Sequence, residues 1–190
     1  MALKLITAPI ALPVALADAK AHLRLDTTSD DAMVAAMIGA ATEAAEHYTG
    51  RALMAQTWEI ALDAFPAALE LTRIPVASVV SIQYADVAGV MQTLSPTAYA
   101  LDNADGFGPA FVVPAYGTGW PVTRDQINAV KVQYIAGYLD AASVPQSIKS
   151  WILLQCGAMF ENRESEVVER GSAISLGFVD RLLDRFVVYA

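Results

Sequence analysis

Val144–Glu164, VPQSIKSWILLQCGAMFENRE, decides how the rest of the chain is read. Pro145 suits the first turn of a helix, where a missing N–H costs nothing. Gln146, Ser147 and Lys149 give a polar entry. From Trp151 to Phe160 only Gln155 is a polar side chain, so the helix is apolar on nearly all sides and is expected to be buried on nearly all sides. At about ten residues the apolar run falls well short of the roughly 20 that cross a bilayer. It reads as a central helix, or as one shared between subunits.

Composition supports a packed core with an associating surface. Of 190 residues, 55% are apolar and only 17% are charged. A surface so thinly charged leans toward an oligomer, because monomers avoid broad apolar patches. A net charge of −8 argues against a basic face that grips nucleic acid. It is compatible with DNA passing nearby, since an acidic wall repels phosphate. The lone cysteine, Cys156, excludes an internal disulfide and reads as a buried thiol. Pro9 and Pro13 interrupt the apolar N-terminus, so no signal peptide or export is expected.

Residues 1–13 read as an extended arm. A short helix is predicted over Leu16–Leu25, with Ala15, Leu16, Ala19 and Leu23 on its apolar side. A second is predicted over Asp31–Thr49, capped by Ser29 or Asp30 and stopped at Gly50. Its apolar stripe is taken as Met33, Ala36, Met37, Ala40, Ala44 and Tyr48. From Gln56 the texture becomes that of strands: Thr57–Leu62, Leu69–Ile74, a Val79–Tyr84/Val90–Leu94 hairpin across an Asp86–Gly89 turn, Tyr99–Leu101, Phe111–Val113 and Ala129–Ala136. The fold class is therefore α+β, a small helical bundle carrying an inserted antiparallel β-sheet subdomain. The expected organisation is an arm and two helices over 1–53, the inserted sheet over 54–140, the central helix over 141–170, and a hinge and C-terminal arm over 171–190. In that arm Phe178, Leu182, Leu183 and Phe186 keep helical spacing. Such a tail either docks on its own core or is offered to a partner.

No catalytic constellation assembles. His22 and His47 lack a second ligand at metal-binding spacing, and one cysteine makes no C-x-x-C pair. Gly117-Thr118-Gly119 opens like a dinucleotide fingerprint but lacks the third glycine and a following helix. Ser172 and Ser175 do not form a G-x-S-x-G elbow. The carboxylate pairs Asp30/Asp31 and Glu164/Glu166 read as a helix cap and a solvated face. No cofactor, metal or catalytic residue is assigned, and no enzyme activity is expected. Binding is better served: Trp120-Pro121 forms a rigid aromatic patch, Arg124 follows in the same loop, and Arg163 and Glu164 mark the exit of the central helix. Trp120 equally suits a cap on the core of the sheet.

The segments ALADAKAHLRLD, AATEAAEHYTGRALMAQTWEIALDAFP, PAYGTGWPVTRDQINAVKVQYIAGY and VPQSIKSWILLQCGAMFENRE, in this order, resemble the head–tail connector, or head-completion adaptor, proteins of long-tailed phages, prophages and gene transfer agents. The resemblance implies a non-enzymatic protein made in the bacterial cytoplasm and placed in the particle neck, with no membrane association. It implies a ring, commonly a dodecamer, of neighbouring copies under the portal protein. Such a ring extends the DNA channel without specific DNA binding and docks the next connector or a tail-terminator protein. On this reading the portal would meet Phe178, Leu182, Phe186, Val187, Val188 and Tyr189, and neighbouring subunits would meet through Trp120, Arg124, Trp151, Arg163 and Glu164. Removal of the arm is then expected to abolish portal binding and leave the fold intact. Two other classes remain open: a small-molecule or carbohydrate-binding module built on the sheet and the Trp120 loop, and a metal-dependent packaging hydrolase.

Overall fold

The computed structural model describes residues 1–103, 108–162 and 178–188. The chain forms two units, Met1–Ile10 with Met54–Leu139 and Ala11–Leu53 with Asp140–Tyr189, the first of strands and the second of helices.

In the helical unit, α1 spans Leu16–Leu23, α2 Asp31–Thr49, α3 Gln146–Glu161 and α4 Phe178–Asp184. Arg24 ends α1 in the left-handed region at φ 57°, and Gly50 ends α2 at φ 72°, donating its N–H to Glu46 O. A Lys20–Asp31 ion pair of 2.5 Å ties α1 to the start of α2. Helix α2 buries Val34, Ile38, Ala41, Thr42, Ala45 and Thr49. This is the face opposite to the predicted one: Ala36, Ala40, Ala44 and Tyr48 are exposed, while Met33 and Met37 are half-buried. Both stripes have helical period, so periodicity does not choose between them. Nor does volume, since Met33, Met37 and Tyr48 are as bulky as Val34 and Ile38; the choice is made by the helices that pack on α2, which are α1, α3 and α4. The two threonines on the buried face donate their hydroxyls to the carbonyls one turn back, Thr42 to Ile38 O and Thr49 to Ala45 O, each at 2.7 Å.

Helix α3 starts behind Pro145, whose carbonyl accepts from the Ile148 and Lys149 amides. Ahead of it Asp140 accepts from Ser143 N at 2.7 Å, and the Ser143 backbone and hydroxyl hold its carboxyl below the usual carboxylate range. Ile148, Trp151, Ile152 and Cys156 are buried, whereas Leu153, Leu154, Met159 and Phe160 are only half-buried among the described residues. The expectation of burial on nearly all sides is met on one face.

The sheet unit contains β1 (Ala2–Thr7), β2 (Gln56–Leu62), β3 (Leu69–Leu71), β4 (Val76–Ala85), β5 (Met91–Thr93), β6 (Tyr99–Asp102), β7 (Ala110–Pro114) and β8 (Val130–Ala136). They form a five-stranded sheet, β1-β2-β8-β4-β5, and a three-stranded one, β3-β7-β6, with every neighbouring pair antiparallel. The fold class is α+β. Strand β8 is central, and its alternation reads directly as burial: Val130, Val132, Tyr134 and Ala136 point into the core with Ile60 and Ile82. Tyr134 accepts the Arg73 amide at 3.2 Å, and burial pushes its phenol above the ordinary value. The N-terminal arm is the edge strand β1, paired with β2 from Ala2↔Ala61 to Thr7↔Thr57. The predicted strand over Leu69–Ile74 stops at Leu71, short of Pro75.

Candidate assembly surfaces

The C-terminal arm returns to its own helical unit. Leu183 is fully buried and Phe186 is 5% exposed. The buried Arg51 donates Nε–H to Phe186 O at 2.6 Å, and Val188 N donates to Thr49 O at 2.9 Å. Tyr48 adds a hydroxyl bond of 3.0 Å to the Asp184 carboxylate. A charged donor on a carbonyl away from water is one of the stronger neutral–ionic contacts a chain can make. Leu182, Val187 and Val188 stay half-exposed on this anchored arm. Tyr189 lies outside the described residues, as do Arg163 and Glu164.

The loop between β7 and β8 carries Trp120. Its indole stacks on Phe65 with ring centroids 4.6 Å apart and planes 7° from parallel, and Phe65 meets Tyr84 edge-on at 5.9 Å. Trp120 thus caps part of the sheet's core and stays half-exposed. Arg124 is exposed; its amide donates to Ala85 O at 3.0 Å, and its guanidinium lies over Gly89 in the β4–β5 turn. That turn is held by Asp86, which accepts from Val90 N and Gln92 Nε2, each at 2.9 Å. The Gln92 and Val90 bonds keep its carboxyl below the usual range. Val87, Val90, Met91 and Val122 are exposed around this turn and loop. Trp151, by contrast, is 7% exposed.

Sites for other chemistry are poorly supplied. A pocket lined by Val14, Asp18, Gln146, Lys149 and Leu153 has a volume of about 160 Å³, below the roughly 300–1,000 Å³ of ordinary small-molecule sites. Among the described residues no three His, Cys, Asp or Glu side chains converge to hold a metal. His22 and His47 are both exposed. No described helix is long and apolar enough to cross a membrane. Cys156 is a buried thiol whose pKa burial raises to about 11. At pH 8 it should therefore react with a thiol reagent at least about a hundredfold more slowly than a free cysteine, until urea unfolds the chain. Rapid labelling of the native protein would contradict the packing of α3.

Comparison with known proteins bears on these surfaces. Residues 13–90 match the family of the phage gp6-like head-tail connector protein. The match runs from α1 through α2 to the β4–β5 turn. No curated protein matches the sequence. Among solved structures, a chain in the neck of a native gene transfer agent particle with C12 symmetry is 25% identical, with a TM-score of 0.76 over 100% of this chain and 97% of that one. Chains of the native gene transfer agent virion and of the empty-particle neck with C6 symmetry are each 24% identical, with TM-scores of 0.79 and 0.78 over 100% of this chain and 97% of each.

The sequence reading missed two features of these surfaces. Arg51 is the hidden anchor of the arm, and a lone arginine after a helix C-cap carries no signal of its partner 135 positions away. The edge strand β1 did leave a signal, the Leu3-Lys4-Leu5 alternation, which the prolines at 9 and 13 overshadowed.

Proposed function

We propose that this chain is a structural, non-catalytic head–tail connector of a phage-like particle, seated in the neck as a ring of identical copies. The observation that carries the proposal is the connector-family match over residues 13–90, joined to full-length similarity with a chain of a C12-symmetric gene transfer agent neck. In this role the ring sits under the portal protein, extends the DNA channel and docks the next connector or tail-terminator protein. The net charge of −8 suits a conduit through which DNA slides without being held. The anchored C-terminal arm offers Leu182, Val187 and Val188 to the portal, with Phe178 and Tyr189 on the same segment and Phe186 as its root. Trp120 and Arg124 on the β7–β8 loop, and Trp151, Arg163 and Glu164 on or after α3, serve the contact between subunits.

The test is mass measurement in solution, by light scattering or native mass spectrometry, with and without the portal protein of the same genome. A ring bound to the portal is the expected result. A chain that stays monomeric and unbound beside an assembled portal would overturn the proposal.

A further inference from the structure

The five-stranded sheet ends in two open edges of unusual character. Strand β1 is exposed at all six positions, and β5 at all three. On β1 neither face is covered: Leu3, Leu5 and Ile6 are 36%, 40% and 41% exposed. At the other edge Val90 and Met91 are 55% and 48% exposed. Natural sheets blunt open edges with charges, prolines or bulges, because unpaired N–H and C=O groups template the addition of a strand. Here β1 holds one charge, Lys4, and no proline, and Met91–Thr93 holds neither charge nor proline. Strand β1 carries one such device, a register shift against β2 between Leu5 and Thr7, which leaves Ala2–Leu5 as its regular stretch; the shifts at Val76/Ser78 and Val79/Ser81 lie inside the sheet, between β4 and β8.

The two edges are also matched in direction. Four successive antiparallel pairings separate β1 from β5 in the order β1-β2-β8-β4-β5, so the two edge strands run the same way. A second copy placed so that its β5 lies beside β1 continues the sheet with a parallel pair. The contact joins two different surfaces of identical chains, the head-to-tail kind that closes into a ring of more than two members. A twofold contact of β1 with β1 would stop at a dimer.

We propose that β1 of one subunit pairs with β5 of the next, so that each contact around the ring is a β-sheet continuation; this rests on the ring assembly proposed above. The backbone supplies the affinity, and Leu3, Leu5 and Ile6 beside Val90 and Met91 supply apolar cover. No like charges face each other across the join, since Lys4 is the only charge on either strand.

Cysteine pairs test the register in the full chain, with Cys156 already buried and silent. Leu3→Cys and Leu5→Cys are each combined with Met91→Cys or Gln92→Cys, all at exposed positions, and oxidised in portal-bound assemblies. At least one pair is expected to give a ladder of covalent multimers running past the dimer, with no ladder from any single variant. Leu5→Lys is expected to lower the yield of rings by about tenfold, the loss that 1.4 kcal/mol of contact energy produces. Rings that assemble on the portal without a ladder from any pair overturn the strand pairing and leave the connector reading standing. Dimers from Leu5→Cys alone overturn it in favour of a twofold contact. A chain that stays monomeric beside the portal overturns both.

Discussion

Deleting residues 178–190 is expected to cost the protein both its portal contact and a large part of its stability. An apolar arm after a hinge leads to the expectation that it can be removed without harm to the fold, and the structure differs for a definite reason. Leu183 and Phe186 are core side chains of the helical unit, and at about 1.5–3 kcal/mol each they represent roughly 3–6 kcal/mol of burial. Arg51 would also lose its bond to Phe186 O, and a hydrogen bond from a charged donor contributes about 1.5–3 kcal/mol. Against a typical total of about 5–15 kcal/mol, such a truncation brings the chain close to unfolding. Urea titration should show it, as a midpoint collapsed toward zero denaturant. Portal binding is therefore better tested by Leu182→Gln and Val187→Gln, which lie on the half-exposed side of the arm. Each should cost about 1 kcal/mol or less in stability, while the pair together removes portal capture in a pull-down. Undiminished capture by the folded double variant would show that the arm serves only its own core.

How far the sequence reveals this molecule follows from which forces are local. The end of α2 was legible because Gly50 punctuates it chemically, whatever packs against it; at its start Asp30 takes the predicted cap position but makes no side-chain cap bond. Its buried face was not, because two alanine-rich stripes share one helical period, and only the neighbouring helices select Val34 and Ile38. Strand β8 was legible down to single residues, since a half-buried strand must alternate. Helix α3 shows the limit of composition: Leu153, Leu154, Met159 and Phe160 are as apolar as Ile148 and Ile152, yet only the latter pair is fully buried. That remaining apolar face is what a subunit-sharing helix would present to a neighbour. For the surfaces, residue type left Trp120 open between an interface anchor and a cap on the core of the sheet. Its stacking on Phe65 depends on a chain reversal that no local pattern specifies.

Gly137→Ala is expected to be the most damaging single substitution in the sheet unit. Gly137 lies just past the end of β8 at φ +103°, a conformation that side-chain-bearing residues rarely adopt. Its N–H donates to Pro75 O at 2.8 Å, so the residue cannot swing aside without breaking a bond. A Cβ at this position would overlap the carbonyl of Met54, whose chain forms a parallel bridge to Tyr138. The obstacle is backbone rather than the end of a flexible side chain, and no rotamer change can relieve it. Strain at such a φ costs about 1–3 kcal/mol before any overlap is counted, and the two together should exceed about 3 kcal/mol, the range reserved for severe core lesions. Relief would require Met54 and the start of β2 to move away from the end of β8, where Gln56 pairs with Ala136. Because β2 also carries β1, the displacement would reach the open edge on which ring closure is proposed to depend. Loss of at least about half of the urea midpoint is therefore expected, together with failure to form rings on the portal. A Gly137→Ala protein unfolding within about 1 kcal/mol of the parent would show that the approach of Met54 is looser than its geometry states.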